Sequence, residues 1–291
     1  MKSGFIAVIG RTNVGKSSII NLIVGKKISI VSPKCQTTRD SIRGIYNDDD
    51  CQIVFVDTPG IHKPINELGE IMDKTAYRTI RDSDAAMFVV DGSKKFDEGD
   101  QFLFDHLKFD VPLVIVFNKI DLTKIEVISE LKDIYKKQFP NAIIVESSAK
   151  DVFGIDTIIK ELKNLISDGP KFYDNNVVTD RSVAFQIQEI IRENILKLTS
   201  KEVPHGVAVI CNSVIDKSKE MSVDAQIICE KEGQKGILIG HGGKMIKKIG
   251  TSSRMQIGKY FGKYCELTLV VKVVEDWRNS SRYLVSIGYD S

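Results

Sequence analysis

A chain of 291 residues exceeds one typical domain, so two domains are the natural expectation. Its 42% hydrophobic and 27% charged residues suit a globular protein with a sizeable core and exclude a disordered or fibrous chain. The net charge of +2 announces no polyanion partner globally, yet residues 235–265 carry Lys235, Lys244, Lys247, Lys248, Arg254, Lys259 and Lys263 and no acidic residue, which makes a local positive face.

Cys35, Cys51, Cys211, Cys229 and Cys265 are scattered and form no CxxC pair, which is the usage of reduced thiols in a cytosolic protein. The short apolar run before residue 10 is too brief for a signal segment, and no apolar run approaches the length that spans a membrane.

In chain order, an apolar strand over residues 5–9 runs into Gly10-Arg11-Thr12-Asn13-Val14-Gly15-Lys16-Ser17, and a helix follows from Ser18 to residue 23. This GxxxxGKS spacing between strand and helix is a phosphate-binding loop. Its glycines let the backbone wrap phosphates, Lys16 reaches the outer phosphates and the Ser17 hydroxyl ligates Mg2+. Arg11 lies near the phosphates, with its side chain expected in solvent.

Residues 26–44 read as a mobile loop, followed by strands at 42–46 and 52–56 around an Asn-Asp turn. The second strand ends in Asp57-Thr58-Pro59-Gly60, where a carboxylate at a strand tip can hold magnesium and Gly60 leaves its N–H open to a terminal phosphate. A helix at 68–81, a buried strand at 85–90, a helix at 97–108 and a strand at 112–117 come next. Then comes Asn118-Lys119-Ile120-Asp121: the aspartate suits the N1–H and amine of guanine, and Asn118 suits a tie to the phosphate loop. A helix at 125–138, a strand at 142–145, Ser147-Ser148-Ala149-Lys150 and a helix at 155–166 complete the region, with backbone at Ser148 and Ala149 facing the guanine carbonyl and Lys150 covering the ring. The alternation of strands and helices predicts an α/β, mostly parallel sheet with each motif at a carboxyl strand end.

Five such elements in order resemble the translation-factor-like GTPases, over residues 3–167. Within them, Gln36-Thr37-Thr38-Arg39 is similar to the magnesium-sensing loop of the Era-like branch, which implies magnesium and γ-phosphate sensing by Thr38. The residue after Gly60 is Ile61, which cannot orient a water as the glutamine of Ras-type GTPases does, so slow hydrolysis is expected. The Era-like branch shares an aliphatic residue here. Water is then positioned by backbone groups, and Asn13 either helps hold a K+ ion beside the β,γ-bridge or hydrogen-bonds within the loop.

A polar Gly/Pro-containing stretch over 168–182 reads as a linker between a GTPase domain at 1–167 and a second domain at 183–291. The second region reads helix 183–198, strands 207–215 and 221–229, a helix to residue 248, a break at Gly250, a second helix to about Tyr264 and a strand at 266–274. That order, with Gly240-His241-Gly242-Gly243 between its helical elements, resembles a smaller α+β type II KH domain. Its GxxG loop admits a nucleic-acid backbone, with Lys244, Lys247 and Lys248 adding salt-dependent phosphate attraction; His241 either contacts the RNA or is solvated. Met245, Ile246 and Ile249 read as core, the set Tyr260, Phe261 and Tyr264 as packing, and His62, His106 and His205 as structural or surface residues.

A GTPase domain followed by a type II KH domain resembles the Era-like GTPases with this output domain. That resemblance implies GTP/GDP exchange, binding to 16S ribosomal RNA near its 3′ end, assistance to 30S subunit maturation, a cytoplasmic location and no obligate protein partner. The alternative is a signalling GTPase attached peripherally to the cytoplasmic membrane face, with the basic face on anionic lipid. A tRNA-modifying GTPase or a translation factor lacks support, because no catalytic cysteine motif and no β-barrel segment follows.

Overall fold

A computed structural model describes residues 1–32, 34, 38–61, 64–200 and 202–289. Cys35, Gln36, Thr37 and His62 lie outside the described residues. The chain divides into two compact units, Met1–Ile65 with Gly69–Asp180, and Arg181–Ser291 with Asn66–Leu68.

The first unit is built on β1 (Lys2–Ile9), α1 (Lys16–Val24), β2 (Ile42–Asn47), β3 (Cys51–Asp57), α2 (Glu67–Arg81), β4 (Ala85–Asp91), α3 (Glu98–His106), β5 (Leu113–Asn118), α4 (Ile125–Gln138), β6 (Ile143–Glu146) and α5 (Ile155–Leu165). The strand order is β2-β3-β1-β4-β5-β6, antiparallel only between β2 and β3. Strands β3, β4 and β5 are buried on both faces, which is why they read as unbroken apolar runs. The chain moves to opposite sides of β1 after it, so the carboxyl end of β1 is the switch point where such sheets bind ligands. The register pairs Val8 with Asp57, Ile9 with Phe88, Asp91 with Asn118 and Phe117 with Glu146, which lines up the motif-bearing strand ends.

Two stretches that read as loose are pinned. The first part of the segment after α1 is held by Asn21, whose Oδ1 accepts from Ile28 N at 2.9 Å and Ser29 N at 3.0 Å while Nδ2 donates to Ser29 O at 2.8 Å. Ile28 and Ile30 are buried beside it. Residues 168–180, expected as a linker, pack on the first unit. Gln52, fully buried, accepts from Phe172 N and Tyr173 N and donates to Tyr173 O; Val178 O accepts from Ile45 N at 3.0 Å, and Arg43 pairs with Asp180 at 2.6 Å. The polar composition is that of a linker, but its backbone groups are spent on the β2–β3 edge.

The second unit runs α6 (Val183–Leu198), β7 (Ala208–Asp216), β8 (Glu220–Cys229), α7 (Glu232–Ile239), α8 (Lys244–Phe261), β9 (Tyr264–Val273) and a short α9 (Ser281–Ser286). The sheet order is β7-β8-β9, antiparallel then parallel. Ile187, Ile191 and Ile195 of α6 and Ile249 and Ile257 of α8 share one core with Val223 and Ile227 of β8, at the helical and strand periods the sequence shows. Asn194 Nδ2 donates to Gln256 Oε1 at 2.9 Å, and Gln256 Nε2 donates to Glu193 at 2.7 Å, a polar bridge from α6 to α8.

The expected break at Gly250 is absent: α8 runs through it, and the interruption falls at Gly240–Gly243. A lone glycine costs a helix only about 1 kcal/mol, which neighbouring packing overrides. Tyr260 and Phe261 pack against the core, as expected, but Tyr264 opens β9 with 60% of its surface exposed. His106 stacks on Phe102 at the end of α3.

Candidate functional site

The cleft forms where β1 hands over to α1. Gly15 adopts φ 105° at the start of α1, and a Cβ there would lie 2.1 Å from Asn118 Nδ2, so only glycine lets the two loops meet. No side chain caps α1, which leaves its first N–H groups pointing into the cleft. The cleft encloses about 500 Å³ and is lined by Thr12, Asn13, Lys16, Ser17, Ser18, Thr38, Gly60 and Lys119 among others.

Lys16 is buried and donates to Gly10 O at 3.0 Å and Arg11 O at 2.9 Å. Burial pulls its ammonium down to about 8, with the charge of Asp57 opposing the fall. Ser17 Oγ donates to Asp57 Oδ2 at 2.7 Å and lies 3.1 Å from Thr38 Oγ1, so the three predicted metal-holding residues converge. Such a set, two hydroxyls and a fully buried carboxylate, suits a hard cation such as Mg2+.

Gly60 turns against the phosphate loop, with Ile61 N donating to Gly10 O at 3.2 Å. Thr58 and Pro59 are buried, and the Thr58 hydroxyl donates to Val8 O at 2.8 Å, so these two build the turn and do not line the cleft. Ile61 is 1% exposed in a core cluster with Ile9 and Phe88, so its side chain points away from where a water would attack.

At the other end, Asn118 Nδ2 donates to Val14 O at 2.8 Å while its Oδ1 accepts from Ala149 N at 3.0 Å and Ser147 Oγ at 3.3 Å. Ser148 Oγ donates to Asp121 Oδ1 at 2.8 Å, and exposed Lys150 lies 3.6 Å from Asp121 Oδ2. The Ser148 N–H goes to Phe153 O at 3.1 Å, so the loop's own framework engages the backbone groups expected at the guanine carbonyl. Lys119 Nζ donates to Asn13 O at 2.6 Å and Asp91 Oδ2 at 2.7 Å. Burial raises the Asp91 carboxyl, but its hydrogen bonds from Lys119 and Ser93 outweigh that and hold it below the usual range. Asp91 and Ser93 were not singled out from sequence; the alignment of the β4 and β5 ends, Asp91 opposite Asn118, is the signal that reveals them.

Arg11 meets its expectation only in part. Its side chain is 32% exposed, but its guanidinium is bound at the start of α3 by Asp97 at 2.6 Å and Asp100 at 3.3 Å.

The second site is of another kind. Gly240, Gly242 and Gly243 have φ of 71°, 58° and 75°, and a Cβ on Gly242 or Gly243 would meet nothing within 4 Å, so the loop is open to an approaching backbone. It leads into α8 without a side-chain cap. His241, Lys244, Lys247 and Lys248 are exposed. Lys263 pairs with Asp216 and Lys235 with Glu232, so the positive face rests on the three lysines after the loop, with Arg254 and Lys259. Met245 packs on the core, Ile246 is half-buried and Ile249 is fully buried.

Two family models match the chain, one described as a 50S ribosome-binding GTPase over residues 5–119 and one as a KH domain over residues 202–278. GTPase Era of Alkaliphilus metalliredigens is 42% identical over 292 residues, covering 99% of both chains, and that of Alkaliphilus oremlandii is 44% identical over 294 residues, also 99% of both. A crystal structure of Era with MgGDPNP and nucleotides 1506–1542 of 16S ribosomal RNA has a TM-score of 0.95 at 32% identity, covering 100% of each chain. A variant of Aquifex aeolicus Era bound to GDP and AlF4− has a TM-score of 0.94 at 32% identity, also over 100% of each. With both its GTPase and KH units matched along the whole length, the chain belongs to the GTPase Era family.

Proposed function

We propose that this chain is a Mg2+-dependent GTP switch with slow turnover that binds 16S ribosomal RNA near its 3′ end and assists assembly of the small ribosomal subunit in the cytoplasm. The observation that carries it is the end-to-end similarity to an Era holding both a GTP analogue and that RNA segment. The cleft and the glycine loop give the reading its chemistry.

Guanine would accept nothing from Asp121, which offers only acceptor oxygens; the N1–H and amine of the base donate to it, whereas adenine would leave a carboxylate unpaired. The base carbonyl competes with Asn118 Oδ1 for the Ala149 N–H. Lys16 donates two of its three N–H groups to the carbonyls of Gly10 and Arg11 and turns the third to a phosphate oxygen. Ser17, Thr38 and Asp57 would hold Mg2+, whose charge would offset that of the β- and γ-phosphate oxygens. With Ile61 in the core, the attacking water is oriented by backbone at Thr38 and Gly60, and the low rate follows from the absence of a side chain for that task.

Asn13, in the left-handed region at φ 63°, stands at the cleft where a K+ ion would offset charge on the β,γ-bridge. Equal GTP turnover in potassium and sodium buffers would remove the potassium part. RNA binding is tested by titrating a fragment of the 3′ end of 16S RNA. The Gly242→Asp/Gly243→Asp variant should lose affinity, and the wild-type protein should prefer this fragment over scrambled RNA. Binding to anionic vesicles with no RNA preference would favour the lipid-bound alternative; no helix among the described residues is long and apolar enough to cross a membrane.

A further inference from the structure

The side chain of Arg11, expected in solvent, is bound to the start of α3. Its Nη1 lies 2.6 Å from Asp97 Oδ1 and 3.3 Å from Asp100 Oδ2. Both carboxylates stand at the start of α3, where they form a reciprocal cap: Asp97 Oδ1 accepts from Gly99 N at 2.7 Å, and Asp97 N donates to Asp100 Oδ2 at 3.1 Å. The Tyr135 hydroxyl, fully buried on α4, donates to Asp100 Oδ1 at 3.1 Å from the other side. Gly99 lies flat against the guanidinium, since a Cβ on it would fall 2.5 Å from Arg11 Cζ. The pair with Asp97 is partly exposed and gains little as an ion pair; the nearly buried Asp100, the buried phenol and the close-packed glycine are what set one geometry.

What this clamp holds is backbone. The Arg11 carbonyl supports the Lys16 ammonium at 2.9 Å. The next residue, Thr12, is the surface on which the Asp57–Gly60 turn rests: a Cβ on Gly60 would lie 2.8 Å from Thr12 N and Cα. Residues 10–12 therefore carry both groups assigned above to the terminal phosphate, and the Arg11 side chain ties that segment to α3, 86 residues away.

We infer that Arg11 is a positioning residue for GTP hydrolysis: by fastening the phosphate loop to the acidic first turn of α3, it sets where Lys16 and Gly60 stand against the γ-phosphate. It rests on the proposed roles of Lys16 and Gly60, and adds a residue that touches neither substrate nor metal. The consequence is selective. GDP lacks the phosphate that this segment serves, so loosening the clamp acts on GTP and on turnover more than on GDP.

The experiment compares Arg11→Ala, Arg11→Lys and Asp97→Asn/Asp100→Asn in the full chain. Asparagine caps a helix as well as aspartate does, so the double variant weakens the clamp without uncapping α3. Single-turnover hydrolysis, affinities for GDP and a non-hydrolysable GTP analogue, and melting temperature are measured together. Arg11→Ala and the double variant should each slow hydrolysis about tenfold and lower the ratio of analogue to GDP affinity about fivefold, since sub-ångström misplacement is costly at a reacting phosphate. Arg11→Lys should recover part of the loss, and combining Arg11→Ala with the double variant should add nothing further. An unchanged rate and ratio with a lowered melting temperature would make Arg11 a simple brace and overturn the inference. Loss in Arg11→Ala with none in Asp97→Asn/Asp100→Asn would also overturn it, by placing the guanidinium on the phosphate itself. Wild-type protein that hydrolyses no GTP would sink the functional reading beneath it as well.

Discussion

Lys16 is buried against two backbone carbonyls, whereas Lys244, Lys247 and Lys248 stand in solvent beside glycines with open space around them. In the proposed reading both regions use glycine and lysine for phosphate, but they commit their polar groups differently. In the GTPase cleft the side chains of Lys16, Ser17, Asn118 and Lys119 already have protein partners, so the nucleotide must fit among bonds of defined geometry or replace them. In the KH loop there is little to replace, and attraction is long-ranged and screened. The first arrangement gives selectivity for one ligand state; the second gives affinity for a backbone, with sequence preference left to what the groove adds.

The largest expected effect breaks the cleft. Asn118→Ala leaves Val14 O and Ala149 N without their partner, and a buried unsatisfied group costs about 1–3 kcal/mol. GTP affinity should fall on the order of 100-fold, with a lower melting temperature, read by nucleotide titration and thermal unfolding. Next is the open loop. Gly242→Asp/Gly243→Asp adds charge at two positions of φ 58° and 75°, so RNA affinity should fall roughly 30-fold, with a modest fall in melting temperature because a side chain in that backbone region is strained. Smaller again, Lys247→Ala/Lys248→Ala should weaken RNA binding a few-fold and reduce the slope of log affinity against log salt by about 0.7 per lysine, since each lost contact releases fewer counterions.

The smallest effect sharpens the contrast through pH. Burial lowers Lys16 to about 8, while phosphate beside it would keep the proton on. The ligand-bound state then holds more protons, so GTP affinity should decline as pH rises through about 8, with uptake of roughly half a proton at that pH. Calorimetry in buffers of different ionisation enthalpy reads this directly. No uptake would mean that Lys16 is charged in both states.

How legible each region was in the sequence follows from the same contrast. The phosphate loop, the Asp57 turn and Asn118-Lys119-Ile120-Asp121 are short contiguous patterns whose chemistry is local, so their residues converge as their spacing implies. The partners of Arg11 could not be read, because Asp97 and Asp100 lie 86 and 89 residues downstream and look like an ordinary acidic helix start. The packing of residues 168–180, within the expected linker of 168–182, could not be read for a similar reason: a polar stretch and a buried Gln52 carry no mark that they bond to each other. In the KH unit Gly250 drew attention as a breaker, but tertiary packing keeps α8 whole, and the positive-φ glycines set the interruption at Gly240–Gly243.

A GTP switch acting on RNA, as proposed, requires that the nucleotide in the buried cleft govern binding at the open loop. The direct measurement is the affinity of the wild-type chain for the 3′ fragment of 16S RNA in Mg2+ with a non-hydrolysable GTP analogue and then with GDP. Binding should be at least about tenfold tighter with the analogue, within the usual range of coupling between sites. Equal affinity in the two states would contradict it.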